Sequence, residues 1–292
     1  MAAKILDGKV LAARIADDLR ERVRCCDRAP CLAVMIVGEH AASQLYVRRK
    51  TAMANDLGMH SVVCALPASA DEKMILRQIT EWNANDAIDG ILIQAPLPTE
   101  SLQRATFATV APHKDVDGFH PYNFGLLAQE QDGGFIPCTP KGILRLLQVN
   151  GIPLAGQRVV VIGRSLIVGR PLALLLQSRS VNATVTVCHS HSRNLSSITT
   201  SADILISAAG CPKLIGRSMV RPGAVFVDVG QNVVANANAP TRKCLCGDGI
   251  FEELFPLCSH ITPVPGGVGP MTVAMLMENL LEAYYIGSKK PS

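Results

Sequence analysis

Aromatic residues are scarce: one tryptophan, four tyrosines and seven phenylalanines make up 4% of the 292 residues. That leaves few platforms on which nucleic-acid bases would stack. Charge is sparse as well, at 18%, and 28 Lys+Arg against 24 Asp+Glu give a net charge of +4. So small and dispersed an excess is no nucleic-acid footprint; it suits an anionic small ligand better than a polyanion. The ten cysteines include no Cys-x-x-Cys pair, and Cys25-Cys26 and Cys244-x-Cys246 have the wrong spacing for zinc. Cys31, Cys64 and Cys188 lie in apolar runs, which fits reduced thiols in a reducing compartment. The start of the chain is charged from Lys4 onward and has no apolar signal core. Leu254 to Met277 lacks Asp, Glu, Lys and Arg, yet its Pro256, Pro263, Pro265 and Pro270, with Gly266, Gly267 and Gly269, bar a lipid-spanning helix. The expectation is a soluble, cytoplasmic chain without a bound metal, a nucleic-acid partner or a membrane.

What is present is an apolar share of 48%, too high for a disordered chain and ample for a core. Helix-like and strand-like segments alternate from end to end, the pattern of an α/β protein with mostly parallel sheets. Leu11, Ile15, Leu19 and Val23 recur at helical spacing over 8–24. The pattern predicts a strand at Cys31–Val37, a helix near 42–57, a strand at Ser61–Leu66, a helix near 71–84 and a strand at Gly90–Gln94. A proline-rich loop zone is expected over 95–140. A second block follows, with a helix near 141–149 and strands at Arg158–Ile162, Ala183–Cys188, Asp203–Ser207 and Ala224–Val229, and the last helix at about 271–286. Almost continuous apolar strands imply helices over both faces. Two domains are expected, 1–140 and 141–270, with the final helix, 271–292, packing back onto the first.

Val159 to Pro171 reads as a strand, a turn and the start of a helix. Gly163 lets the chain leave the strand tightly, Gly169 permits close approach, and Pro171 suits a first helical turn. Such a helix start presents N–H groups to a phosphate, although the spacing is Gly-x₅-Gly and an ordinary strand–helix turn is the competing reading. The next strand ends in Cys188-His189-Ser190-His191-Ser192-Arg193, with no acid to hold a ribose 2′-hydroxyl. Arg164 and Ser190 suit a 2′-phosphate instead, which favours NADP over NAD. His189 and His191 have a spacing that serves zinc, but without further ligands nearby they read better as exposed or phosphate-adjacent histidines.

In the first block, Ser43, Tyr46 and Lys50 fall on one face of a helix. Gln94 ends a buried strand, directly before Ala95-Pro96-Leu97-Pro98, and carboxyl ends of parallel strands are where α/β folds place ligands. Lys114-Asp115-Val116-Asp117-Gly118 offers two carboxylates on a glycine turn. By these residues alone the chemistry stays open.

The whole set, however, resembles one family. Ser43-x-x-Tyr-Val-x-x-Lys50, Gln94-Ala-Pro-Leu-Pro98, Lys114-Asp-Val-Asp-Gly118 and Pro137-Cys-Thr-Pro140 occur in that order. Gly163-Arg-Ser-x-x-Val-Gly-x-Pro171 and Thr262-Pro-Val-Pro-Gly-Gly-Val-Gly-Pro-Met-Thr272 follow. The set is similar to the bifunctional methylenetetrahydrofolate dehydrogenase/methenyltetrahydrofolate cyclohydrolases, the FolD family, over nearly the full chain. The resemblance implies an N-terminal folate-binding catalytic domain and a C-terminal Rossmann-like NADP-binding domain with a cleft between them. It implies NADP-dependent oxidation of 5,10-methylenetetrahydrofolate to the 5,10-methenyl cation, hydrolysis of that cation to 10-formyltetrahydrofolate, and a homodimer serving one-carbon metabolism and purine biosynthesis.

Carried over by motif, Lys50 is the catalytic lysine of the hydrolytic step, Tyr46 positions the ring system, Gln94 tunes Lys50, and Asp117 binds the pterin edge. Ser43, Ile93, Ala95 and Pro265, Gly266, Gly267, Val268 and Gly269 line the folate site. Gly163, Arg164, Ser165, Val168, Gly169 and Ser190 hold NADP. Gln231 joins the cofactor contacts where the family usually has an isoleucine, and Ala95 and Gly249 replace a leucine and a valine of the usual pattern. Two other readings compete: a shikimate-dehydrogenase-like NADP oxidoreductase, and a non-catalytic folate- or nucleotide-binding protein on the same fold.

Overall fold

The chain begins with a two-residue strand, β1 (Lys4–Ile5), and a helix, α1 (Gly8–Arg24), which buries Leu11, Leu19 and Val23. These and the elements below come from a computed structural model, which describes residues 2–236 and 239–288. Next come β2 (Cys31–Val37), α2 (Ala41–Asp56), β3 (His60–Leu66), α3 (Glu72–Ala84) and β4 (Gly90–Ile93). The uncharged run of β2 is buried from Leu32 to Val37 and forms the middle of a parallel sheet of order β3-β2-β4. The zone read as loop over 95–140 holds two helices, α4 (Glu100–Thr109) and α5 (Pro121–Ala128). Thr99 caps the first by accepting from the Leu102 N–H, and Pro121 occupies the first turn of the second. The polar and proline residues that resembled loop there are helix starts.

The second block runs α6 (Cys138–Val149), β5 (Arg158–Ile162), α7 (Gly169–Gln177), β6 (Thr184–Cys188), α8 (Leu195–Thr199), β7 (Ile204–Ser207) and β8 (Val225–Asp228). An antiparallel hairpin of β9 (Asn232–Asn236) and β10 (Ala239–Cys246) follows, then α9 (Phe251–Leu254), β11 (His260–Ile261) and α10 (Val268–Ser288). Six strands form one parallel sheet of order β1-β11-β8-β7-β5-β6. Its core includes Val160, Ile162, Leu205, Phe226 and Ile261.

Two compact units result: Ala13–Cys138 with the chain from Val273 on, and the first twelve residues with Thr139–Thr272. The first twelve residues therefore differ from the expected boundary of 1–140. Backbone pairing explains it: Lys4 and Ile5 lie beside His260 and Ile261, and the Leu6 N–H donates to the Ile261 carbonyl at 2.8 Å. The expectation of helices over both faces of every strand also fails at the sheet edges. The edge strands β3 and β6 expose Val62, Val63 and Val187. Among the described residues no helix is long and apolar enough to cross a membrane.

Candidate active site

The first cluster lies in the unit built on β2–β4. Helix α2 places Ser43, Tyr46 and Lys50 on one face; Ser43 and Lys50 are buried and Tyr46 is half-buried. Burial pushes the Tyr46 hydroxyl above its ordinary pKa against the pull of Arg49, so it stays a proton donor. Ile93 is buried at the end of β4, and Gln94 extends that strand's pairing by donating its N–H to the Met35 carbonyl at 2.9 Å. The Lys50 ammonium donates to Gln94 Oε1 at 3.1 Å, and Gln94 Nε2 donates to the Ala95 carbonyl at 2.8 Å. The carboxamide is thus held at both ends, its oxygen on the lysine.

The three charged residues of the Lys114–Gly118 motif part ways. Lys114 is buried and donates to the Trp82 and Asn85 carbonyls at 3.2 and 2.8 Å, closing the end of α3. Asp115 is buried and accepts from the His120 N–H at 2.7 Å and Asn123 Nδ2 at 2.8 Å. Burial holds it at about 6 against those donors. Asp117 is buried too, and burial keeps it above the usual carboxylate range against the nearby Lys50 ammonium and a hydrogen bond from the Cys138 thiol. Lys50, Gln94 and Asp117 are therefore one cluster, while Lys114 and Asp115 hold the backbone that presents Asp117.

The second cluster lies in the unit of the six-stranded sheet. Gly163 leaves β5 with φ +116°. A Cβ there would strike the Ala208 carbonyl, and one on Gly169 would strike the carbonyl of Gly163. Ser165 Oγ accepts from the N–H groups of Val168 and Gly169 at 3.2 and 3.3 Å, and its own hydroxyl proton remains available to donate. Arg164 is exposed, as is Ser190 beyond the end of β6. This glycine cradle, with a serine hydroxyl and an exposed cation at a helix start, fits the phosphates of a dinucleotide.

Elsewhere in the same unit, the loop over 263–269 turns at Gly266, φ +118°, and its Gly267 N–H donates to the Pro263 carbonyl at 2.8 Å. Pro265 to Gly269 lie there, with Val268 buried at the start of α10. Gln231 packs against Gly269, since a Cβ on that glycine would come within 3.0 Å of Gln231 Nε2. The peptides Ala95–Pro96 and Val264–Pro265, one in each cluster, are cis. The His189 ring nitrogen Nδ1 accepts from the His191 N–H at 3.2 Å, and no group of three or more His, Cys, Asp or Glu among the described residues can hold a metal.

A buried acid pair, unmarked as a site in the sequence, lies beneath this second cluster. Asp228 accepts from the N–H groups of Gly230, Asp248 and Gly249. Asp248 accepts from the Ser207 hydroxyl, the Asn232 amide and the N–H groups of Ala209, Gly210 and Cys211. Gly230 and Gly247 have no room for a side chain because these carboxylates fill it. The signal was two acids within glycine-rich segments, each beside a strand end.

An all-parallel sheet bearing a glycine cradle in one unit, and a lysine–amide–carboxylate cluster in the other, define a nucleotide-dependent α/β enzyme. Two family models match in sequence: the catalytic domain of tetrahydrofolate dehydrogenase/cyclohydrolase over residues 6–117, and its NAD(P)-binding domain over 137–287. A bifunctional protein FolD of Protochlamydia amoebophila is 46% identical, covering 96% of this chain and 97% of its own. The crystal structure of a Campylobacter jejuni bifunctional FolD superposes with a TM-score of 0.90 at 41% identity, covering 98% and 99% of the two chains. A Trypanosoma brucei methylenetetrahydrofolate dehydrogenase-cyclohydrolase, solved with NADP cofactor and inhibitor, gives 0.94 at 35% identity, covering 99% and 100%. The chain belongs to the tetrahydrofolate dehydrogenase/cyclohydrolase family. It is a methylenetetrahydrofolate dehydrogenase and methenyltetrahydrofolate cyclohydrolase with an NAD(P)-binding domain, and the shikimate-dehydrogenase-like alternative is set aside.

Proposed function

We propose that Lys50 is the proton-transfer group of the cyclohydrolase step, held by Gln94, while Asp117 binds the pterin edge of folate in both steps. Bound NADP⁺ accepts the hydride that leaves the one-carbon bridge of 5,10-methylenetetrahydrofolate. Loss of hydride leaves the bridge as the 5,10-methenyl cation. In the second step a water oxygen bonds to that carbon, the bond from carbon to the ring nitrogen breaks, and 10-formyltetrahydrofolate forms. Water gives up two protons in the process; one goes to the leaving ring nitrogen and the other to solvent. Lys50 Nζ carries protons between those atoms. Gln94 keeps that amine in place, and Tyr46 and Ile93, with Ser43 and Ala95, line the ring site.

The residues toward NADP are Gly163, Ser165, Val168 and Gly169 for the phosphates, Arg164 and Ser190 for the 2′-phosphate, and Gln231 for the nicotinamide side. Pro265, Gly266, Gly267, Val268 and Gly269 serve the folate. We assign a homodimer as the working assembly, with the exposed edge strand β6 as the contact, and the cytoplasm as the compartment. The observation that carries the reading is the half-buried Lys50–Gln94 hydrogen bond near Asp117. Its test is an absorbance assay on 5,10-methylenetetrahydrofolate with NADP⁺ or NAD⁺. The methenyl species should form faster with NADP⁺ and then be hydrolysed; failure to form it with either cofactor overturns the reading.

A further inference from the structure

We propose that Asn279, on α10, is a positioning residue for Asp117, acting through the Val116 carbonyl and the Cys138 thiol. The inference rests on the reading that Asp117 binds folate. Asn279 is fully buried among Met275, Leu276, Leu280 and Leu281, a place where an amide is costly unless its hydrogen bonds are made. Its Nδ2 donates to the Val116 carbonyl at 2.9 Å and to the Ile136 carbonyl at 3.2 Å, and lies 3.6 Å from Cys138 Sγ. One amide thereby joins the residue before Asp117 to the segment that carries Cys138. The two segments touch directly as well. Gly118, at φ +75°, is so close that an added Cβ would come within 2.7 Å of the Phe135 carbonyl oxygen and Pro137 N.

The thiol decides what this brace does. Cys138 is buried; its thiol donates to the Val116 carbonyl at 3.3 Å and lies close enough to Asp117 to favour its charged form. A carbonyl oxygen has two lone pairs, so the Val116 oxygen takes both the Asn279 amide and the thiol, and the amide fixes the carbonyl and the sulfur that neighbour Asp117. Without the amide, the Val116 carbonyl and the Cys138 sulfur lose their shared anchor, and Asp117 loses the brace that fixes its orientation. Merely filling the space would need only a leucine; delivering two N–H groups needs the amide.

The test compares Asn279→Leu, Cys138→Ala and Cys138→Ser with Asp117→Asn in the full chain. The readouts are KM and kcat for 5,10-methylenetetrahydrofolate, and Kd for NADP⁺. Cys138→Ala should raise the folate KM about threefold to tenfold, with a smaller change in kcat and none in NADP⁺ affinity, and Cys138→Ser should restore it. Asn279→Leu should raise KM further, and combining Cys138→Ala with Asp117→Asn should add little to Asp117→Asn alone. Cys138→Ala is informative even where Asn279→Leu does not fold. An Asp117→Asn variant with raised KM beside a Cys138→Ala variant with wild-type KM overturns this inference alone. An unchanged KM in Asp117→Asn overturns the assignment of Asp117 itself, and this inference with it.

Discussion

Lys50 Nζ donates to Gln94 Oε1 at 3.1 Å, joining a helix to the end of a parallel strand 44 residues later in the chain. The strand fixes Gln94 through its backbone and the Ala95 carbonyl fixes the far side of the carboxamide, so the acceptor cannot swing away. Gln94→Ala leaves a buried ammonium without this partner. A hydrogen bond to a charged group is worth about 1.5–3 kcal/mol, so methenyl hydrolysis should slow by about 10- to 100-fold. Stopped-flow absorbance on added 5,10-methenyltetrahydrofolate measures it, and an unchanged rate would detach Gln94 from Lys50's role.

The two acids of one motif should behave differently. Asp115→Ala strips the acceptor from the His120 N–H and Asn123 Nδ2, and each donor left unpaired in the interior costs about 1–3 kcal/mol. It should therefore lower stability, seen as a reduced denaturant midpoint. Asp117→Ala should spare the midpoint and raise the folate KM of both activities. A variant pair with those effects exchanged would move the ligand role to Asp115.

Cofactor choice is tested at Arg164. Its exposed guanidinium at the turn after β5 suits a 2′-phosphate, and losing such a charge-assisted contact costs about 1.5–3 kcal/mol. Arg164→Ala should narrow the preference for NADP⁺ over NAD⁺, measured as the ratio of kcat/KM, by about tenfold or more. A wild-type ratio in the variant would place the 2′-phosphate elsewhere.

Stability should depend on pH in a specific direction. Asp115 and Asp228 stand at about 6, above the ordinary 3.8, chiefly through burial. Between those values the folded chain holds protons that the unfolded chain has released. Their contribution is fully present below 3.8 and is lost as pH rises through about 6. Asp203 works oppositely: its hydrogen bonds from Arg158 hold it at about 2, so its contribution is present above 3.8 and lost as pH falls through about 2. Urea unfolding of Asp115→Asn and Asp228→Asn from about pH 4 to 7 should show a shallower decline than wild type. Parallel curves would contradict the assignment.

Long buried runs were legible because nothing else reads like them. Cys31–Val37 is an uninterrupted apolar strand and Arg158–Ile162 is one after its first residue, and their limits in the sequence are their limits in the fold. Lys4–Ile5 and His260–Ile261 were not legible, since two residues cannot display a period and their pairing is with each other across the whole chain. Pro121 misled because proline marks loops and helix starts alike. In the candidate site, spacing put Ser43, Tyr46 and Lys50 on one face without saying what they meet. Spacing also could not tell which acid of Lys114–Gly118 is consumed by backbone N–H groups, because His120 and Asn123 supply those donors from the next segment. Asn279 stayed invisible for a related reason: one amide in an apolar helix carries no pattern, and its partners lie at Val116 and Ile136.

The central claim, that one amine moves the protons of hydrolysis and is not the agent of hydride transfer, is tested most directly by Lys50→Met. Methionine keeps an unbranched apolar stem of similar length and removes the ammonium. The measurement is methenyltetrahydrofolate absorbance during turnover of 5,10-methylenetetrahydrofolate with NADP⁺, and separately on added methenyl substrate. General acid–base catalysis typically contributes about 10²–10⁴-fold, so hydrolysis should fall by that much while the methenyl species accumulates from a slower but persistent dehydrogenase. A variant that hydrolyses added methenyltetrahydrofolate at the wild-type rate would remove Lys50 from the mechanism.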